Sequence, residues 1–323
     1  MSARPSRAGA EMRLRVRSMA CEAEGVLSLG LRDPDGGRLP PWSPGAHVDL
    51  TVPGSPPRQF SLCGDPGDLG EYRLGVLLED PSRGCTRYVH HSLRPGELVE
   101  VSRPRNNFPL VPSPRYLFVA GGIGITPVLP MLAAATAAGA EWELLYGGRR
   151  RPSMAFLDRL RPYGERVRIH PQDEAGLLDL DEALDRHDPA PTAVYCCGPE
   201  PLLAAIGERA RARGFGPPRI ERFRPVQVAA PEGGERAIEV VCGRSGVTVR
   251  VGGDSTILAA LEAAGVPVPS SCREGICGTC ETAVLDGIPD HRDSLLTEGE
   301  REAGETMMIC CSRALSEKLV LDV

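Results

Sequence analysis

Three cysteines fall within nine residues in "CREGICGTC" (272–280), spaced C-x4-C-x2-C. Few folds have a use for thiols packed this densely in a loop that also carries two glycines. A disulfide framework is a poor one, because the chain has 11 cysteines, an odd number, and such frameworks belong to short secreted domains. A zinc knuckle needs a second C-x2-C or a histidine pair, and only the single His291 lies nearby. The spacing, with a further cysteine downstream, is that of plant-type [2Fe–2S] ligation. Gly275 and Gly278 let such a loop wrap a cluster while its backbone N–H groups point at the sulfurs, and the small residues Ser271 and Thr279 allow close approach. Cys272, Cys277 and Cys280 supply the clustered metal ligands. Cys310 and Cys311 both qualify as the fourth; neighbours in a strand face opposite sides, so only one of them reaches the cluster.

The rest of the chain is long enough, at 323 residues, for two or three domains. No stretch approaches the roughly 20 apolar residues of a membrane helix, and "MSARPSRAGAEMRLRVRS" (1–18) is basic without the apolar centre of a secretory signal. The expectation is a cytoplasmic protein with a loose N-terminal tail and mostly reduced thiols. Net charge is −6, unevenly spread: from Ile238 onward there are 7 basic and 14 acidic residues, a balance of −7 that leaves +1 for the rest. An acidic module on a neutral body argues against nucleic acid, which needs clustered Lys and Arg. It suits docking onto a basic protein partner.

Three segments follow one another. Residues 11–108 read as all-β: short alternating runs such as "AHVDLTV" (46–52) and "YRLGVLL" (72–78) are broken by Pro, Gly and Asp clusters, as in a small barrel or sandwich. Residues 109–225 alternate strands with helices, which predicts an α/β domain with a parallel sheet. "YLFVA" (116–120) is its buried strand. Helices are expected over "VLPMLAAATAAG", near 153–161, around 179–186 and at 200–213. Residues 226–236, with Pro and paired Gly, are the best linker. From 237 to 323 the pattern is β again: a hairpin "IEVVC"–"VTVRV" about the turn "GRSG", a helix "TILAALEAAG" stopped by Gly265, and a closing strand "KLVLDV".

"GGIGITP" (121–127) follows the buried strand and opens a helix, so its backbone N–H groups suit a pyrophosphate. "CCGP" (196–199) ends another strand; Cys197 is assigned to the site and Cys196 to packing. Arg149–Arg151, at the end of "WELLYGG", suit a 2′-phosphate and hence NADPH, or form a solvated loop. "RQFS" (58–61) and "SRGCTRYVHHSL" (82–93) offer an arginine, an aromatic and hydroxyls beside a glycine turn. His47, His90, His91, His170 and His187 are scattered and read as surface or turn residues.

In this combination the chain resembles the phthalate dioxygenase reductase family, which includes vanillate O-demethylase reductases. The resemblance runs over nearly the whole chain and rests on "RPRNNFPL", "AGGIGITP", "CREGICGTC", "HRDSLLT" and "CSRALSEKLVLD" together. It implies a multidomain chain: a ferredoxin-reductase-type β-barrel binding FMN, an α/β NAD(P)-binding domain, and a β-grasp plant-type ferredoxin domain. Arg58, Phe60 and Ser61 match the flavin motif, with the serine near flavin N5. Arg83, Gly84 and Thr86 match the loop around the FMN phosphate. Gly121, Gly122, Gly124, Ile125, Thr126 and Pro127 match the nicotinamide-nucleotide loop, with Cys197, Gly198 and Pro199 as its second wall. Phe223 matches an aromatic that covers the flavin, so Ser61, Cys197 and Phe223 are the implied catalytic residues. The resemblance makes the first cysteine of "CCSRA" (310–314) the family's ligand in the motif, which selects Cys310. Two positions depart from the pattern: Phe60 stands where Tyr is usual, and Cys85 interrupts Gly-Gly-Ser/Thr, where a side chain crowds the phosphate if φ is positive.

The resemblance implies an electron-transfer reductase: NAD(P)H gives a hydride, a flavin accepts the pair, and a [2Fe–2S] cluster takes electrons singly. Its implied acceptor is a Rieske-type oxygenase or demethylase, with a cytochrome P450 as the alternative, docking near the acidic domain. A monomer is expected, with no nucleic-acid or membrane partner.

Overall fold

The computed structural model describes residues 11–79, 84–225 and 235–323. They form two compact units, Glu11–Phe223 and one that includes Arg224–Val323. Arg83 and all of the expected linker except Glu235 and Arg236 lie outside the described residues.

The first unit opens with strands β1 (Met12–Ala23), β2 (Val26–Arg32), β3 (His47–Thr51), β4 (Arg58–Ser61) and β5 (Tyr72–Leu77), helix α1 (Cys85–His91) and strand β6 (Leu98–Val101). Their sheet has the order β4-β3-β6-β1-β2-β5, with every pairing antiparallel. Alternation builds it: Leu14 and Val16 of β1 are buried while Arg13, Arg15 and Arg17 are exposed. The outer strands approach one another through the Leu62–Leu74 bridge and the bond from Cys63 N to Arg73 O at 2.9 Å.

Two expectations fail here. An all-β reading omits α1, whose buried face of Cys85, Thr86 and Val89 is too short to show a helical period. The surface-or-turn assignment fails at His47, fully buried because both faces of β3 are covered; His187 sits in the bend after α5, with its side chain beside Glu143.

The chain continues through β7 (Arg115–Gly121), α2 (Ile125–Ala137), β8 (Glu141–Gly148), α3 (Leu157–Leu160), β9 (Val167–Pro171), α4 (Gln172–Ala175), α5 (Leu180–Asp185), β10 (Thr192–Cys197), α6 (Glu200–Ala212) and β11 (Arg219–Glu221). The sheet order is β11-β10-β7-β8-β9, all parallel. The continuous apolar run of β7 follows from burial on both faces. Tyr116, Phe118 and Ala120 join the core that holds α2, whereas Leu117 and Val119 join the one that holds α5 and α6. The helix expected near 153–161 is broken. Phe156 adopts φ 62°, and short 3-10 turns flank α3, each with a proline near its start.

The two sheets share a core. Val26, Cys63 and Phe108 pack with Phe118, Ile125 and Tyr146, and the Arg159 guanidinium donates to Cys63 O at 2.7 Å. A side chain at Gly75 would collide with Thr126 and Phe156. These contacts make residues 11–223 one compact unit.

The second unit contains β12 (Ile238–Cys242), β13 (Thr248–Val251), α7 (Ile257–Ala263), β14 (Glu281–Asp286), β15 (Pro289–Asp290), α8 (Glu298–Ala303), β16 (Thr306–Met308), β17 (Arg313–Ala314) and β18 (Lys318–Leu321). The sheet order is β13-β12-β18-β14-β16, with β15 and β17 paired separately. The hairpin β12–β13 is antiparallel, while β18 lies parallel to β12. Thr256 caps α7 by accepting from Ala259 N at 3.1 Å, and Gly265, at φ 76°, ends it. The linker's last two residues are fastened to this unit. Glu235 pairs with Arg292 and Arg313, and Arg236 O accepts from Arg313 at 2.9 Å.

Candidate functional site

In the thiol loop, Arg273, Gly275 and Gly278 all have left-handed backbones, at φ 59°, 71° and 74°. Left-handed residues alternating with right-handed or extended ones turn successive N–H groups inward, as in anion-binding nests. The N–H of Glu274 reaches Cys272 Sγ at 3.3 Å, and those of Ile276 and Cys277 also favour the Cys272 thiolate. Bonds from the Cys277 and Cys310 thiols, then these backbone groups, pull Cys272 below its ordinary value. A bond from Cys310 does the same for Cys280. The neighbouring thiols and burial push Cys277 and Cys310 the other way, upward.

Cys272, Cys277, Cys280 and Cys310 therefore face one another. No group of three or more His, Cys, Asp or Glu side chains among the described residues is arranged to hold a single metal ion. A two-iron cluster asks for two thiolates per iron, and four mutually facing thiols ringed by N–H donors fit that demand. Cys310 and Cys311 lie in a turn rather than a strand. Alternation along a strand therefore does not separate them. Orientation does: Cys310 lies beside Cys272 and Cys280 as well as Cys311, and it is the thiol that acts on Cys272 and Cys280, while the Cys311 thiol points to Met308 O at 3.7 Å.

In the first unit, glycines bring two strand ends together. A Cβ on Gly124 would overlap the Cys197 backbone, and one on Gly121 would stand 2.7 Å from Pro199 Cδ. Gly122, at φ 55°, has open space on its side-chain face. The loop runs into α2, 13 residues long with Gly124 as its N-cap. The first N–H groups of a helix lack internal partners and favour anions. Thr126 and Pro127 are buried, and Thr126 Oγ1 donates back to Ile123 O at 2.9 Å, fixing the turn.

Beside this loop, Cys197 and Glu221 are register partners in β10 and β11. The Cys197 thiol lies 3.9 Å from Glu221 Oε2. The Ser61 hydroxyl, from β4, stands close enough to favour the charged form of Glu221, but burial outweighs it and pushes the carboxyl up to about 8. Burial and the Glu221 charge also raise the Cys197 thiol. Among the described residues, neither Ser61 Oγ nor Glu221 Oε1 has a well-formed hydrogen bond. Buried polar atoms without partners are costly, so this pair is suited to a polar group supplied from outside the chain. Cys196, by contrast, sits in the opposite core with Leu117 and Val119.

On β4, Arg58 grips Glu79 through one nitrogen, at 2.8 and 2.9 Å, and its buried Nη1 has no partner among the described residues. Phe60 is buried. The positive φ of the nearby loop falls on Gly84, at 113°, and Cys85 begins α1 with its side chain in the core. A side chain at position 85 therefore causes no backbone strain. Thr86 Oγ1 accepts from Glu79 N at 3.5 Å. Phe223 is half-buried against the shared core. The residue that sequence reading missed is Glu221. "RIERF" gives it the look of an exposed position, and only its pairing with Cys197 reveals its place.

A model of the 2Fe-2S iron-sulfur cluster binding domain matches residues 240–315. The phenoxybenzoate dioxygenase subunit beta of Ectopseudomonas oleovorans is 44% identical over 318 residues, 97% of this chain and 98% of that protein. Phthalate dioxygenase reductase, a solved structure, is 35% identical with a TM-score of 0.71, covering 97% of this chain and 98% of the other. An intact type IV self-sufficient cytochrome P450 monooxygenase is 44% identical with a TM-score of 0.89; all of this chain matches, but only 43% of that protein is spanned.

Proposed function

We propose that this chain, which belongs to the phthalate dioxygenase reductase-like family, is the NAD(P)H-oxidising reductase component of a Rieske-type oxygenase or demethylase system. The observation that carries the reading is the ring of four thiols in a loop of inward N–H groups, on a chain that also brings Ser61, Cys197 and Glu221 together. The bound flavin and cluster supply the conversion of a hydride into single electrons.

The chain's own residues bind and orient. Arg58, with its spare nitrogen, together with Arg83, Gly84 and Thr86, would hold the FMN phosphate. Phe60 and Phe223 would flank the flavin ring, and Ser61 would face its reactive edge. Gly121, Gly122, Gly124, Ile125, Thr126 and Pro127 would take the dinucleotide, against Cys197, Gly198 and Pro199. Glu221 holds a proton on a buried carboxyl beside Ser61. Cys272, Cys277, Cys280 and Cys310 would ligate the irons. In this reading the six-stranded sheet is a barrel, the parallel sheet spans 109–225, and 237–323 is a β-grasp ferredoxin domain whose acidic surface docks the oxygenase.

A cytochrome P450 acceptor is the second reading, favoured by the likeness to the P450 monooxygenase. There the reductase-like part is joined to further chain, whereas the dioxygenase subunit matches this chain end to end.

The test is anaerobic titration with NADH and NADPH, followed by flavin extraction, iron and sulfide analysis, and reconstitution with purified Rieske-type and P450 acceptors. Bleaching of flavin and cluster, then turnover of the Rieske-type partner, is the expected result. A colourless protein without iron or acid-labile sulfide would overturn the proposal.

A further inference from the structure

Against the thiol loop lies a buried carboxylate that is not one of the four facing thiols' neighbours in sequence. Asp293, in the segment between β15 and α8, has a fully buried side chain. It packs directly on Gly275, where a Cβ would stand 3.0 Å from Asp293 Cα and 3.2 Å from its Cβ.

A buried charge is costly unless it is hydrogen-bonded. Asp293 Oδ2 accepts from Leu295 N at 2.9 Å and from Leu296 N at 2.8 Å, the turn that an aspartate closes on the backbone following it. Arg301 of α8 stands 3.6 Å from the same oxygen and donates to Asp293 O at 2.7 Å and Leu296 O at 3.0 Å. His291 Nδ1 lies 3.9 Å from Oδ1, beyond hydrogen-bond reach. The carboxylate and Arg301 together set the backbone of residues 293–296.

That backbone reaches the thiol loop through one bond: Ser294 N donates to Gly275 O at 2.9 Å. Gly275 O and the Ile276 N–H belong to one peptide group, and in a trans peptide they point in opposite directions. Holding the carbonyl toward Ser294 therefore turns the N–H the other way, to where it meets the Cys272 thiol. A donor on the carbonyl also polarises the N–H of the same peptide. Hydrogen bonds to the sulfurs help to set the potential of an iron–sulfur cluster. They favour the more negative, reduced state and so raise it.

We propose that Asp293 is a positioning residue for electron transfer: through the turn it closes and the bond from Ser294 to Gly275, it aims the Ile276 N–H at Cys272 and raises the reduction potential of the cluster. This rests on the reading of Cys272, Cys277, Cys280 and Cys310 as the ligands of that cluster.

The test compares Asp293→Ala and Asp293→Asn with wild type in the full-length protein carrying its cofactors, by redox titration followed by electron paramagnetic resonance and by hydrogen exchange of the 272–280 segment read by mass spectrometry. Asparagine removes the charge but keeps an oxygen for Leu295 N and Leu296 N; alanine removes both. Losing a negative charge raises the potential, whereas losing an N–H donor lowers it, so the two variants should part. The alanine variant should have the more negative potential of the two. Its Ile276 amide should exchange faster by about tenfold or more, the worth of hydrogen bonds to a charged group, while the asparagine variant stays near wild type. A cluster lost from the alanine variant and kept by the asparagine variant would be the same result in stronger form. Equal potentials and exchange in the two variants, or iron lost equally from both, would overturn this inference alone. A wild type without iron or acid-labile sulfide would overturn the cluster reading and this inference with it.

Discussion

Glu221 offers a test whose size follows from its surroundings. Its carboxyl is buried between Cys197 and Ser61, and its pKa rises from 4.5 to about 8, chiefly because burial disfavours the charged form. Unfolding frees the group to ionise near its ordinary value. Between those two values the native state holds a proton that the unfolded state has released. Stability is therefore full below the unfolded value and falls as pH rises through the native one. A tenfold change in an acid's ionisation constant corresponds to about 1.4 kcal/mol, so the loss by about pH 9 should be about 3 to 5 kcal/mol. Glu221→Gln keeps the shape and removes the titration. Both tryptophans, Trp42 and Trp142, lie in the same unit as Glu221, so urea unfolding of flavin-free protein followed by their fluorescence reports this unit. Relative to the variant, the wild type should lose stability steadily from about pH 5 to about pH 9. Wild-type and Glu221→Gln curves that stay parallel across this range would refute the assignment of a neutral buried carboxyl.

Other substitutions separate the parts of the molecule. Cys280→Ser should abolish the visible absorbance of the cluster while leaving flavin reducible by NADH; cytochrome c reduction at the wild-type rate would show that electrons leave by another route. Gly275→Ala forces a Cβ into a left-handed residue, against Cys311 and 3.0 Å from Asp293 Cα. Its cost of about 2 to 4 kcal/mol should appear as lost iron and sulfide, and full cluster content would contradict the packing. Gly122→Trp should raise the Michaelis constant for the nucleotide without altering the cluster spectrum, because the open face of Gly122 is where the nucleotide is placed. An unchanged constant would move the site elsewhere.

What the sequence disclosed depends on how local the physics is. The thiol loop was legible because ligand chemistry dictates residue type and spacing within nine positions, and β7 because burial on both faces leaves an unbroken apolar run. The choice of Cys310 over Cys311 could not come from strand alternation, since both sit in a turn whose orientation depends on contacts with Cys272 and Cys280. Glu221 was invisible for a related reason. A single acidic residue in a short strand looks solvent-facing until β4 and β10 close over it. The arginines after β8 left a phosphate site and a solvated loop both open, because the partners of two of them, Glu24 and Glu174, are distant in sequence, Glu24 by 126 positions from Arg150. Charge at a site is a sum over neighbours brought there by the fold. A run of basic letters fixes the sign of that sum only when no carboxylate returns to meet it, and here two do.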